Sequence, residues 1–190
     1  MIENIKQQKL AKAKKMMLLF GLLSITMTFA GLTSAYIVSK GRPDWTMDFN
    51  LPSEFFYSTF IIVLSSLTLL ISKRKLTSGK SINSVFNWTL VTFVLGIVFI
   101  VFQFIGFNNI IDQGYYFAGA QSAIKTSFIY VLSFLHIVHL VAGLIVLIIL
   151  MFNIKKGKYV DNNLGFNLGS NFWHFLDILW LYLFSFFYFF

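Results

Sequence analysis

The stretch at residues 171–190, NFWHFLDILWLYLFSFFYFF, sets His174 and Asp177 three residues apart among apolar and aromatic neighbours. On a helix that spacing puts imidazole and carboxyl on one face, about a turn apart, between Trp173 and Trp180. An Asp at the centre of a spanning helix costs roughly 2.5–3.5 kcal/mol on insertion scales, so the pair is expected to face protein rather than lipid. A second pair, His136 and His139, stands upstream with Ser133 before it and Gly143 after it. Two histidines at i and i+3 can ligate one metal or hydrogen-bond across a helix interface. With His174 and Asp177 they form a donor set chemically adequate for iron, copper or zinc, and haem needs only one or two histidines. That set consumes every histidine in the chain, and no other carboxylate lies in an apolar block to support it from behind. A hydrogen-bond network joining the two helices is therefore preferred, with metal or haem ligation as the alternative.

A proton relay is a further reading, since His and Asp inside a membrane often mark such paths. A relay needs titratable groups at several depths. The apolar blocks place His136 and His139 in the outer half of one segment, and His174 and Asp177 at the cytoplasmic start of the next. The middle of the bilayer is then left without such a group, and a complete path through this chain alone is not expected.

The elements that carry these residues are membrane spans. The chain is 57% hydrophobic and 12% charged, about half the charge of an ordinary soluble domain. Five apolar blocks run approximately over 16–38, 55–72, 84–107, 126–152 and 171–190, each near the roughly 20 residues that cross a bilayer. The expected fold is an all-α bundle of five transmembrane helices in one domain over 1–190, with a basic amphipathic lead at 1–15. No cleavable signal peptide is expected, because the first apolar stretch is too long for one. Absence of cysteine excludes disulfides and thiolate ligands.

The net charge of +8 does not point to nucleic acid, because the basic residues alternate with apolar blocks instead of sharing a surface. They read as topology signals. Lys6, Lys9, Lys12, Lys14, Lys15, Lys73, Arg74, Lys75, Lys80, Lys155, Lys156 and Lys158 fall on one side. Only Lys40, Arg42 and Lys125 fall on the other. That asymmetry puts the N-terminus in the cytoplasm and the C-terminus outside. An outer loop with Pro43, Asp44, an interfacial Trp45, Asn50 and Pro52 agrees with it.

Small and polar residues mark helix faces. Gly21, Ser24, Thr28, Gly31 and Ala35 form a stripe that permits close backbone approach in lipid, a helix-packing seam. Gly96, Phe99, Gln103 and Gly106 share a face of the third block, where a buried Gln needs partners on an adjacent helix. A substrate-contact role for Gln103 is the alternative.

Read together, these residues resemble subunit III of the haem–copper terminal oxidases (cytochrome c oxidase), in the bacterial five-helix form. Residues 173–181 resemble that family's closing motif W-H-F-x-D-x-x-W-L. His136 and His139 with Gly143 resemble its H-x-x-H-x-x-x-G, and Gly96, Phe99 and Gln103 its G-x-x-F-x-x-x-Q. Ser65, Ser66 and Thr68 resemble S-S-x-T. Phe29, Ala30 and Gly31 with Ala35 and Tyr36 resemble F-A-G-x-x-x-A-Y. The resemblance runs in order from about Leu18 to Phe190. Two departures stand out: Ile25 replaces a Glu that usually follows the Ser aligned with Ser24, and Gly106 stands where a Glu is often found. Longer members add two N-terminal helices and a lipid-filled cleft.

The resemblance implies an accessory subunit without its own redox cofactor, with haem and copper in partner subunits. It implies support of sustained turnover and of proton uptake, with bound phospholipid. Subunit I is the main partner, with subunit II, small subunits and membrane lipids beside it, and a respiratory supercomplex is possible in such a chain. The location implied is the bacterial cytoplasmic membrane. Electron donors of both kinds, cytochrome c and quinol, fit the resemblance.

Overall fold

A computed structural model describes residues 2–42, 45, 51–79, 81–117, 123–159 and 162–190. Pro43, Asp44, Asn50 and Lys80, used above for loop chemistry and topology, lie outside them. Five helices follow in order: α1 (Ile2–Ser39), α2 (Glu54–Thr77), α3 (Ile82–Asp112), α4 (Ile124–Lys155) and α5 (Leu164–Phe189). All five are long and apolar enough to cross a membrane.

Every helix outruns its apolar block, for local reasons. In α1 the basic lead is not a separate element but the first turns of one continuous helix. No proline or glycine interrupts residues 2–20, and lysines lose little side-chain freedom in a helix. Its 38 residues span roughly 57 Å, against a hydrocarbon core of about 30 Å. At the other end of the chain, α5 begins at Leu164, well ahead of the apolar block at 171. His174 and Asp177 therefore sit near the middle of α5, and His136 and His139 near the middle of α4. Along the helices these residues lie midway rather than at a helix start, because polar residues such as Asn167 and Ser170 begin α5 ahead of the apolar block.

Helix ends use left-handed glycine. Gly114 (φ 86) and Gly157 (φ 67) follow α3 and α4. The next amide reaches back to the last turn in each case, Tyr115 N–H to Ile110 O at 3.3 Å and Lys158 N–H to Asn153 O at 3.1 Å. A residue with Cβ would resist that backbone angle.

Contacts define the arrangement. Helices α2, α3, α4 and α5 close a ring in which each touches the next, and α1 lies outside it in the groove between α4 and α5. Sequential members run antiparallel. Lys155 at the end of α4 lies 4.6 Å from the Phe86 ring near the start of α3, and Lys40 after α1 lies 4.8 Å over Phe190 at the end of α5. Apolar side chains cover the outside, with Met17, Met27, Phe60, Phe152 and Ile178 more than 60% exposed. Large aromatics and hydroxyls fill the inside.

Candidate functional site

The interior is built in layers, and the first centres on Trp173. Its indole is 1% exposed and slots between two glycines on neighbouring helices. A Cβ at Gly96 on α3 would lie 2.7 Å from the indole Cη2, and one at Gly143 on α4 would lie 3.2 Å from its Cε3 and 2.8 Å from Leu176. The contact at Gly96 is shorter than real carbon contacts and meets a rigid ring, so that position requires glycine, while at Gly143 both the Leu176 methyl and the indole would have to give way. The indole N–H donates to Ser65 Oγ at 3.1 Å, and Ser65 in turn donates to Ile62 O at 2.8 Å. Trp180 repeats the device a layer away: its N–H donates to Thr59 Oγ1 at 2.9 Å, and Thr59 donates to Phe55 O at 2.7 Å. Each buried indole N–H is thereby satisfied.

A ladder of hydroxyls joins α2 to α3. Thr68 and Thr92 lie 2.8 Å apart and Ser72 and Thr89 2.9 Å apart, while Gln103 Nε2 donates to Ser58 Oγ at 2.7 Å. In lipid there is no hydrophobic force between helices, so such bonds and close packing hold them together. Gly106 follows the same logic, since a Cβ there would meet the Phe55 ring at 2.8 Å.

The four candidate ligands do not converge. His136 is fully buried, its ring 5.1 Å from that of Trp180 and 6.0 Å from that of Phe99. His139 is half-buried; its Nδ1–H donates to Leu135 O at 2.7 Å and its ring stands edge-on to Phe29 at 5.7 Å. His174 Nδ1 is hydrogen-bonded to Ser66 Oγ at 2.7 Å. Asp177 Oδ2 is 3.9 Å from the same nitrogen, beyond hydrogen-bond length. Asp177 is 3% exposed, while His174 is half-buried and its Nε2 is buried without a partner among the described residues. His139 and His174 are hydrogen-bonded to different neighbours and His136 packs on aromatic rings, an arrangement that does not bring the three together on one metal ion. Among the described residues no group of three or more His, Cys, Asp or Glu is placed to hold a metal. The chemistry these side chains can do here is hydrogen bonding and packing.

The residues singled out by type and spacing thus divide. Gly96, Gln103, His136, Gly143, Trp173, Asp177 and Trp180 meet in the interior of the α2–α5 ring. Ser24 and Gly31 do not join them. They are exposed, and nothing lies within 4 Å of a Cβ at Gly31 or Gly21. The seam on α1 faces away from this chain, while the opposite face packs inward through Phe29, Thr33 and Tyr36. Sequence reasoning passed over Ser58, Thr59, Ser72, Thr89 and Thr92. A seven-residue spacing of Ser58, Ser65 and Ser72 on α2 was the available signal, since it puts the three serines on one face.

A groove of about 570 Å³ opens between the lysine-rich half of α1 and the adjoining ends of α4 and α5. Met17, Leu150 and Phe172 line it, with Lys14, Asn153 and Tyr159 as its polar members. Asn153 Nδ2 donates to Tyr159 Oη at 3.2 Å. Burial pushes the Tyr159 phenol above the usual tyrosine range, against the smaller opposing effect of that hydrogen bond.

Such a bundle is a multi-pass helical membrane protein in which many internal polar groups pair one helix with another. The family model described as cytochrome c oxidase subunit III matches residues 6–190. The chain belongs to that family, the third subunits of haem–copper oxidases. It is 33% identical over 172 residues to cytochrome bo(3) ubiquinol oxidase subunit 3 of Pseudomonas aeruginosa, covering 86% of this chain and 78% of that protein. It is 29% identical over 165 residues to cytochrome c oxidase subunit 3 of Bacillus sp. (strain PS3), covering 84% and 77%. To quinol oxidase subunit 3 of Bacillus subtilis it is 28% identical over 164 residues, covering 83% and 77%. Membership implies association with other oxidase subunits.

Proposed function

We propose that this chain is the accessory subunit III of a proton-pumping cytochrome c oxidase in a bacterial cytoplasmic membrane. It acts as a single domain over 1–190, with the N-terminus in the cytoplasm and the C-terminus outside. Haem and copper reside in the neighbouring subunits, and this chain supports sustained turnover and proton uptake beside subunit I. The observation that carries the reading is the use of the motif residues: Trp173 locked between Gly96 and Gly143, with His139 and His174 hydrogen-bonded to separate neighbours. That is the interior of a scaffold.

The outward stripe of Gly21, Ser24, Thr28, Gly31 and Ala35 supports contact with a transmembrane helix of subunit I, because its exposed backbone admits close approach. The groove with Lys14, Asn153 and Tyr159 suits an anionic phospholipid, its chains against Met17, Leu150 and Phe172 and its headgroup at the lysine end. Purification through a tag on this chain tests the whole reading. Subunits I and II should co-purify with haem bands in a redox difference spectrum. A complex stripped of this chain should begin oxygen reduction at the normal rate and then lose activity during turnover. Loss of the initial rate would overturn the accessory role.

A quinol oxidase is the second reading, favoured by the 33% identity to the bo(3) subunit. Oxygen uptake by the purified complex with reduced cytochrome c and with a quinol separates the two.

A further inference from the structure

Between α3 and α4, two ring contacts bracket one level of the interior. Phe99 meets His136 at 6.0 Å between centroids, and Phe107 meets Tyr130 at 5.4 Å. Gln103 lies one turn from both Phe99 and Phe107, and Ser133 one turn from both Tyr130 and His136, so the two residues face each other at the level between. Gln103, Ser133 and His136 are all 0% exposed. Their free polar atoms form a set. Gln103 Oε1, Ser133 Oγ and both ring nitrogens of His136 have no hydrogen-bond partner among the described residues.

The orientation of the Gln103 amide follows from its neighbour. Ser58 donates its only proton to Phe55 O at 2.9 Å, so the Gln103 group 2.7 Å from Ser58 Oγ must be the donating amide nitrogen. That leaves the carbonyl Oε1, which is buried and without a partner among the described residues. Imidazole presents at least one N–H donor in every protonation state, and a serine hydroxyl both donates and accepts. Serine is also the smallest hydroxyl side chain, so the level opposite Gln103 is not filled by bulk. Buried polar groups are rarely left alone, and a water that satisfies three of them is the usual remedy.

We propose that an ordered water molecule is bound inside this bundle, donating to Gln103 Oε1, accepting from a ring N–H of His136 and bonded to Ser133 Oγ. It joins α3 to α4 at the layer that Trp180 and Phe99 close off, and through Gln103 and Ser58 it extends the hydroxyl ladder of α2 and α3. The site does not depend on the identity of the oxidase.

High-resolution cryo-electron microscopy of the complex purified through this chain reads it directly. Density is expected within about 3.2 Å of all three side-chain atoms. Gln103 Oε1 bonded directly to Ser133 or His136, with no density between, would overturn the proposal. An energetic test stands beside it, through the midpoint temperature of thermal unfolding of the same complex. Gln103→Met and Ser133→Ala should each lower the midpoint, and the double variant should lower it by clearly less than the sum, because either change alone releases the shared water. Additive shifts would count against a common ligand.

Discussion

Helix α1 and the ring of α2 to α5 are held by different means, although both are apolar enough to sit in lipid. The ring is drilled through with polar pairs: two indole N–H bonds, two hydroxyl–hydroxyl bonds and the Gln103 amide bond cross from helix to helix. Among the described residues helix α1 is fastened by one such bond, Thr33 to Tyr182 at 2.9 Å, and by aromatic edges at Phe29 and Tyr36. Its small residues, which would allow the closest packing, are turned outward. In a medium that does not drive apolar surfaces together, hydrogen bonds and glycine contacts decide which helices belong to the core. Helix α1 is the ring's appendage, with its best packing surface left for a neighbour.

Substitutions can break that contrast. Gly96→Leu is expected to be the most damaging, because the new side chain meets the Trp173 indole and Leu144 below 3 Å. A loss of about 3 kcal/mol, the upper end for overpacking, is expected and is read as failure of the chain to accumulate in membranes. Trp173→Phe keeps the bulk but leaves the Ser65 hydroxyl without its indole. A cost of about 1–3 kcal/mol is expected in denaturant unfolding of the purified complex. Thr92→Val, in the hydroxyl ladder, should cost about 1 kcal/mol by the same measurement. Thr33→Val should cost less, near the average of about 0.6 kcal/mol for interhelical bonds in membranes. A larger effect for Thr33 than for Thr92 would erase the distinction between ring and appendage. Gly31→Leu sharpens it from the other side. The stability of this chain should be unchanged, since nothing lies within 4 Å of the new Cβ, while recovery of subunit I with the tagged chain should fall.

Much of this was legible in the residues. Five spans and the grouping of charges follow from block length and the positions of lysine and arginine, and the family resemblance followed from residues at fixed spacing. The burial of Asp177 was also readable, because an acidic group in such a segment must avoid lipid. Two things were not. The start of α5 at Leu164 was hidden because hydropathy marks where a helix prefers lipid, whereas helix continuation depends on backbone geometry and tolerates Asn167 and Ser170. The direction of the α1 stripe was hidden because α1 carries usable faces on both sides, aromatic at Phe29 and Tyr36 and small at Gly21 and Gly31.

What the amino-acid sequence determined by itself, then, is a set of local quantities: the number and approximate position of the apolar spans, the grouping of the charges and the faces on which small and polar residues recur. Those depend on composition and a 3.6-residue period. The tertiary structure alone decided the partners, placing Trp173 against two glycines from different helices, parting His136, His139 and His174 to three neighbours, and turning one seam inward and the other out. Partner choice depends on how five helices share space, and that is settled only when all of them are packed at once.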